Sequence, residues 1–395
     1  MQKTIKLVSF MILTIFITNI SQLPVLVDYG LTRYLSFPGW IIFLILLFLN
    51  NRVKFGKIEF KVIFIGLIFM IGVLIAELST PFNHLSSNLI PSFYISLFIL
   101  MIGLFSSDLL REKDFLKVIN AYIASMLIVS IFIFREVFSG GYNWLGIGYS
   151  YGSKNSLSQM IFIAMIFLIF LYTPKESYKR AIKISILGFW AILLLALKSR
   201  ATILALFITP FIVIGYSKRH LKWKVIALTL TIGFVLLIYF SPSLKEIVVD
   251  GVLLGSRGDR SLNEITSGRI DHLTVFFPMW FNGNELFGTG TYYVESFPFN
   301  ALLKHGILVG WILIFVAYWP MVWAIKNKNS SNLNIVFTIV AISYFLNSLF
   351  EAQAPFGPGT KNYILWLMFG ILYGAENKSN KIKNNLFKGG SLNET

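Results

Sequence analysis

The segment VIFIGLIFMIGVLIAELS, residues 62–79, decides the class of fold. It contains one charged side chain, Glu77, and no proline. An α-helix rises about 1.5 Å per residue, so that about twenty apolar residues cross the roughly 30 Å hydrocarbon core of a bilayer. The segment therefore predicts a transmembrane α-helix.

Comparable apolar segments recur along the whole chain of 395 residues, of which 56% are hydrophobic and 13% charged. Soluble domains carry about 25% charged residues, and the mean hydropathy of +0.73 agrees with a membrane protein. We predict an all-α integral membrane protein with about 12 transmembrane helices in a single polytopic domain, residues 1–375. The predicted spans are residues 7–27, 34–50, 62–79, 89–107, 118–137, 156–172, 184–198, 201–216, 225–242, 300–325, 333–350 and 362–375.

Basic residues are distributed unequally between alternate loops. Of the 34 Lys and Arg residues, 23 lie on the side that includes both termini and 11 lie on the other side. Cytoplasmic loops are enriched in Lys and Arg, so we place both termini on the cytoplasmic side of a bacterial inner membrane. The net charge of +16 then reflects topology, and we expect no nucleic-acid partner. The Asn- and Lys-rich tail, residues 376–395, is predicted to be disordered.

The one long loop, residues 241–299, is predicted to lie on the outer face. It combines many glycines with aromatic residues, and Ile270 to Phe281 are expected to form a helix on the membrane surface. The chain contains no cysteine, which excludes disulfides and thiolate chemistry. The few charged residues of the spans cluster at their outer ends, so the membrane interior is predicted to be dry and the chemistry to lie at the outer interface.

Cationic side chains predict an anion site there. In the hairpin Ala196–Thr202, Lys198 and Arg200 lie between two spans, and a guanidinium on a tight turn can bind phosphate with a fork of donors. Arg269 lies on the same predicted side, with Arg257 and Arg260 nearby. Together they favour a lipid that carries a diphosphate; the alternative is that they anchor the loop on anionic headgroups.

The order of these motifs resembles the bacterial O-antigen ligase and O-antigen polymerase superfamily. The resemblance covers roughly residues 150–325 and rests on Lys154-Asn155, Lys198-Ser-Arg200, Ser267-Gly-Arg269, Leu286-Phe-Gly-Thr-Gly290 and Asn300-Ala-Leu-Leu-Lys-His-Gly306. It implies a GT-C-like fold and catalysis without a metal or other cofactor. It also implies an undecaprenyl-diphosphate-linked oligosaccharide as substrate, membrane lipids as surroundings, and a chain-length regulator and a flippase as partners.

Residue roles follow from the same resemblance. Arg200 and Arg269 would bind the donor diphosphate and stabilise the leaving group. Ligases place a His before the Asn of the His-Asn segment, where this chain has Phe299, whereas polymerases place an acid followed by Ser or Asn, here Glu295 and Ser296. The substitution favours a polymerase with Glu295 as base. Further substrate-binding candidates are Lys198, Arg257, Arg260, His272, Asn155 and Asn300.

Three alternatives stay open at this point. His305 and His272 are alternative bases, although a lone interfacial His is more often structural. A ligase that transfers finished glycan to lipid A or another acceptor is the closest rival function. A transporter or flippase of lipid-linked sugars is the second, and it predicts polar residues in the membrane interior.

Overall fold

The computed structural model describes residues 2–110, 112–139, 141–144, 154–216, 221–253, 269–290, 292–327 and 331–390. Within these ranges all regular structure is helical, and no strand occurs in them. The helices are α1 (Gln2–Ile20), α2 (Pro24–Asp28), α3 (Thr32–Ser36), α4 (Pro38–Leu49), α5 (Lys57–Ser79), α6 (Leu89–Ser106), α7 (Glu112–Ser139), α8 (Lys154–Phe170), α9 (Ser177–Leu197), α10 (Arg200–Tyr216), α11 (Leu221–Phe240), α12 (Pro242–Lys245), the π-helix α13 (Glu246–Leu253), α14 (Arg269–Trp280), α15 (Phe297–Asn327), α16 (Asn332–Ser348) and α17 (Tyr363–Gly390).

Ten of the twelve predicted apolar spans coincide largely with one helix each, whereas residues 7–27 extend over α1 and α2 and residues 34–50 extend over α3 and α4. Within the described ranges, six helical segments are long and apolar enough to cross a membrane, and four more are apolar but shorter. The prediction of an α-helical membrane protein is confirmed, while the count of twelve spans and the GT-C-like fold stay predictions. The six long segments are Thr32–Leu49, Lys57–Ser79, Leu89–Ser106, Lys113–Ser139, Ser177–Leu197 and Phe297–Asn327.

Helices α6 and α17 pack closely against each other, and glycines allow this approach. A Cβ added to Gly103 would lie 2.6 Å from the carbonyl oxygen of Leu367 and 2.9 Å from the Cα of Gly370. Small residues allow two backbones to approach where the hydrophobic effect does not drive association. One continuous apolar core surrounds this contact and includes residues from α1 to α17.

Buried hydrogen bonds join further pairs of helices. Trp40 Nε1 donates to Thr18 Oγ1 at 3.0 Å, and Trp190 Nε1 donates to Ser130 Oγ at 2.9 Å. Each bond satisfies an indole N–H that would otherwise be unpaired away from water. Because such partners lie far apart in sequence, these bonds fix how the helices are arranged.

The C-terminal helix docks at one end of the bundle. Lys378 Nζ donates to Ser107 Oγ at 2.8 Å and to Asp108 Oδ2 at 2.6 Å, and Trp323 Nε1 donates to Glu376 at 2.9 Å. Helix α17 continues to Gly390, past the residue at which the predicted disordered tail begins. These contacts mark the end of the bundle opposite the candidate site.

Candidate functional site

Loops that are far apart in sequence meet at the other end of the bundle. They are the connections that follow α5, α7, α9 and α16, together with the segment that precedes α15. The sequence predicts all of them on one side of the membrane, and the structure brings them together. Four contacts join them: His84 Nδ1 with Lys304 O at 3.1 Å, Lys198 Nζ with Trp144 O at 2.8 Å, Asn300 Nδ2 with Ala352 O at 3.0 Å, and Asn155 Nδ2 with Glu351 Oε1.

The turn between α9 and α10 holds Lys198 in a buried position. Its φ of +51° is left-handed and lets the chain reverse direction within two residues. Its ammonium donates to Trp144 O and lies 5.8 Å from the centre of the Tyr142 ring. Burial lowers the pKa of Lys198, and the charge of Lys154 lowers it further. Lys198 thus joins the hairpin to the segment 141–144 by a hydrogen bond. Its contact with substrate stays a prediction.

Arg200 begins α10 directly after this turn and is half-buried. Ser199 before it is fully buried, with its Oγ 3.0 Å from Thr202 Oγ1. The N-terminus of a helix carries unpaired N–H groups and a partial positive charge, to which the guanidinium adds its own donors. Lys154 is close enough to Lys198 to lower its pKa, and Arg200 follows Lys198 by two residues; we call these three residues the cation cluster.

Asn155 and Glu351 form a side-chain pair that the sequence did not predict. Asn155 is the second residue of α8, and Glu351 lies just beyond the end of α16. The Asn155 amide donates to Glu351 Oε1, and both side chains are half-buried. Because Lys154 precedes Asn155, the pair borders the cation cluster. Asn155 therefore holds a carboxylate, where the sequence predicted a substrate contact.

A polar strip continues from this pair into the bundle between α8 and α16. Gln159 lies one turn beyond Asn155 on α8, and its Nε2 donates to Ser343 Oγ at 2.8 Å. Asn347 lies on α16 midway between Ser343 and Glu351. Gln159 Oε1 and Asn347 Oδ1 are buried without a hydrogen-bond partner among the described residues. We call Asn155, Gln159, Ser343, Asn347 and Glu351 the polar strip.

The polar strip corrects the prediction of a dry interior. The prediction counted charges, and amides and hydroxyls of the apolar spans carry none. The predicted spans 156–172 and 333–350 contribute only Gln159, Ser343 and Asn347 to the strip, which exists only once α8 and α16 pack together. Unpaired buried amide oxygens cost about 1–3 kcal/mol each, and internal water is their usual partner.

Helix α15 is broken at Gly306, which has φ +64° and ψ −173°. The segment Glu285–Gly290, which begins with a turn, packs against the break and supplies its hydrogen bonds. Thr289 N and Gly290 N donate to the carbonyls of Leu303 and Lys304 at 2.7 and 2.9 Å. On the other side, Ile307 N donates to Glu285 O at 2.7 Å and Leu308 N to Leu286 O at 3.3 Å. The motifs predicted to lie near each other are thus joined through their backbones.

Two histidines lie beside this break. His305 is fully buried, with its Nε2 3.1 Å from Ser87 Oγ and its ring centre 6.4 Å from that of His84. His84 Nε2 lies 2.8 Å from Thr80 Oγ1. Burial lowers the pKa of His84, although its bond to the Lys304 carbonyl and the charge of Glu77 oppose the shift. In this arrangement His305 supports the break in α15 and does not face a surface.

Asn300 ties the start of α15 to two loops. Its Oδ1 accepts from Val294 N at 3.2 Å, and its Nδ2 donates to Ala352 O at 3.0 Å. Both bonds are buried, so Asn300 is a structural anchor in this conformation, where the sequence predicted a substrate contact. Glu295 lies between Val294 and the start of α15 and is half-buried. Its predicted role as the base stays a prediction.

The surface helix expected at residues 270–281 corresponds to α14. Its Phe276 is buried against Phe299 and Trp280, with ring centres 5.1 and 5.4 Å away. Arg269 and His272 belong to α14, but their side chains are not among those the structure describes. Arg257 and Arg260 lie outside the described residues. The pairing of Arg200 with Arg269 therefore stays a prediction.

Among the described residues, no three His, Asp or Glu side chains come close enough to hold a metal ion. No protein-family model matches the sequence, and no curated protein is significantly similar to it. The site is therefore interpreted from its own residues.

Proposed function

We propose that the chain is a polymerase of lipid-linked saccharide repeat units at the outer face of a bacterial inner membrane. Its donor would be a glycan on undecaprenyl diphosphate and its acceptor a lipid-linked repeat unit. The observation that supports this most is the cation cluster beside the Asn155–Glu351 pair, because cations can bind a diphosphate and a carboxylate can take the proton from a hydroxyl nucleophile.

The transfer would proceed in one displacement. An acceptor hydroxyl oxygen bonds to the anomeric carbon of the donor, and the bond from that carbon to the diphosphate oxygen breaks. Arg200 and Arg269 would stabilise the charge that develops on the leaving diphosphate. The hydroxyl proton passes to a carboxylate at this end of the bundle, for which the sequence predicts Glu295.

The test uses the purified full chain with a lipid-diphosphate-linked oligosaccharide as both donor and acceptor. Arg200→Lys and Arg269→Lys should each lower the rate of polymer formation about tenfold to a hundredfold, because Lys cannot reproduce the bidentate fork. Arg135→Lys is the matched control, since Arg135 is exposed near the end of α7. Full activity of both variants would contradict the paired role. In a second reaction with lipid A added as an alternative acceptor, product appearing only on lipid A would support the ligase instead.

The proposed orientation has its own test, because the chain contains no cysteine. A Cys introduced at Asn263 should react with a membrane-impermeant thiol reagent in intact spheroplasts. A Cys at Lys378 should react only after permeabilisation. The opposite pattern would overturn the predicted topology.

A second candidate function is transport of lipid-linked sugars, because the polar strip places amides and a hydroxyl inside the bundle. Alternating access exposes such a strip to each side in turn. Asn347→Cys should then react with hydrophilic reagents from both sides, whereas Val340→Cys, at a fully buried apolar position of α16, should react from neither. Reaction of Asn347→Cys from one side only would contradict transport and agree with the polymerase.

A further inference from the structure

We propose that Glu351, held by Asn155, is the base that takes the proton from the acceptor hydroxyl. The inference deepens the proposed function and rests on it. It replaces Glu295 by a carboxylate that the sequence did not single out, and it makes Asn155 a positioning residue.

The first argument is position. A base must lie within reach of the hydroxyl, which in turn attacks next to the diphosphate. Glu351 accepts a hydrogen bond from Asn155, and the neighbouring Lys154 is close enough to Lys198 to lower its pKa. Arg200 follows two residues after Lys198. The carboxylate therefore borders the cations proposed to bind the diphosphate.

The second argument is rigidity, because a catalytic group must be held within about 0.5 Å of its productive position. The residue after Glu351, Ala352, is buried and accepts from Asn300 at 3.0 Å. Further along the same loop, the Phe356 ring stacks on Trp366 with centres 5.3 Å apart, and its carbonyl accepts from Ser96 at 3.1 Å. Glu351 therefore lies on a connection that is anchored to several helices.

The third argument is access. Glu351 is half-buried, so part of the residue is exposed at the end of the bundle where the substrate would bind. His305, the alternative base, is fully buried. Below Glu351, the unpaired oxygens of Asn347 and Gln159 offer sites for internal water, through which a proton could leave the carboxylate.

The experiment measures polymer formation per folded molecule in Glu351→Gln and Glu295→Gln beside the wild-type chain. A Gln at residue 351 keeps an oxygen that can accept from Asn155, so the fold should be preserved while the basicity is lost. We expect Glu351→Gln to lower the rate by about a hundredfold to ten-thousandfold, and Glu295→Gln to lower it by less than about tenfold. A rate for Glu351→Gln within about tenfold of wild type, or an equal loss in both variants, would overturn the assignment.

A pH profile separates a base from a structural carboxylate. A hydrogen bond from Asn155 favours the charged form of Glu351, so its removal in Asn155→Leu should move the acidic limb of kcat/KM to higher pH. An unmoved limb would contradict the positioning role. If the wild-type chain forms no polymer, the proposed function and this assignment both fall; if it does and Glu351→Gln matches it, only the assignment falls.

Discussion

The break in α15 allows a prediction that needs no knowledge of the substrate. Replacing Gly306 by Ala should destabilise the protein severely, for two separate reasons. A non-glycine residue at φ +64° and ψ −173° costs about 1–3 kcal/mol, because its Cβ meets the neighbouring backbone. The same Cβ would also overlap the carbonyl group of Leu286 and lie 2.5 Å from Phe287 N.

The second cost follows from the hydrogen bonds at the break. To relieve the overlap, the segment Glu285–Gly290 must move away, which breaks the bonds from Ile307 N to Glu285 O and from Leu308 N to Leu286 O. Each of the two broken bonds costs about 1–3 kcal/mol, so that the total with the conformational term reaches about 3–9 kcal/mol. Domains are stable by only about 5–15 kcal/mol, and we expect little folded Gly306→Ala protein.

Two other glycines serve as matched controls. Gly283 has φ +84° with no atom within 4 Å of an added Cβ, so Gly283→Ala should cost only the conformational term, about 1–2 kcal/mol. Gly188 lies inside α9, also without a neighbour, and Gly188→Ala should stabilise by about 0.5–1 kcal/mol. The assay is the yield of monodisperse protein in detergent and its unfolding temperature. If Gly306→Ala unfolds at the same temperature as Gly283→Ala, the backbone hydrogen bonds at the break in α15 do not stabilise the protein as argued.

Three more predictions concern individual side chains at the same end of the bundle. Because the pKa of His84 is lowered in the folded chain, the unfolded chain binds the proton more readily as the pH falls. The unfolding temperature should therefore decrease when the pH is lowered from about 7.5 to about 5.5, and it should decrease less in His84→Asn. Equal slopes in the two proteins would show that His84 does not cause the pH dependence. Burial lowers the pKa of Lys361 to about 8, so acylation of its amine should rise steeply between about pH 7 and 9. Mass spectrometry follows the modified peptide, which should be absent in Lys361→Arg. A yield that does not change with pH would contradict the lowered pKa. Asn300→Leu should destabilise by about 2–6 kcal/mol, because it leaves Val294 N and Ala352 O unpaired, and an unfolding temperature near wild type would show that water replaces the amide.

The helices could be predicted from sequence because an apolar span is a local property. The prediction of each span used only the length of its apolar run and the positions of the charged residues at its two ends. The hairpin at Lys198 was predictable for the same reason, since two residues between apolar runs leave room only for a tight turn. Charge counting also grouped the loops of α5, α7, α9 and α16 on one side, and these loops do meet.

The polar strip and the break in α15 could not be predicted in this way. Gln159 and Ser343 look like isolated polar residues in apolar runs, and nothing local shows that they form a hydrogen bond. The run around Gly306 contains no proline and resembles an uninterrupted helix. The available signal was the glycine spacing of Gly288, Gly290 and Gly306, because backbone that pairs outside a helix favours residues without a Cβ.

The depth of the polar strip bears on the choice between transfer and transport. The strip extends over four residue steps on α8, from Asn155 to Gln159, and over four on α16, from Ser343 to Asn347, or roughly 6 Å on each helix at about 1.5 Å per residue, with Glu351 just beyond the end of α16. The hydrocarbon core of a bilayer is roughly 30 Å thick. Deeper on α16, Val340 and Val336 are fully buried apolar residues, and on α8 the positions below Gln159 are Ile163 and Phe167, which are also fully buried. A path for sugars must reach both sides of the membrane, whereas a recess that supports a base needs to open on one. The strip, as the described residues show it, has the extent of such a recess, so it strengthens the proposal of group transfer at one face.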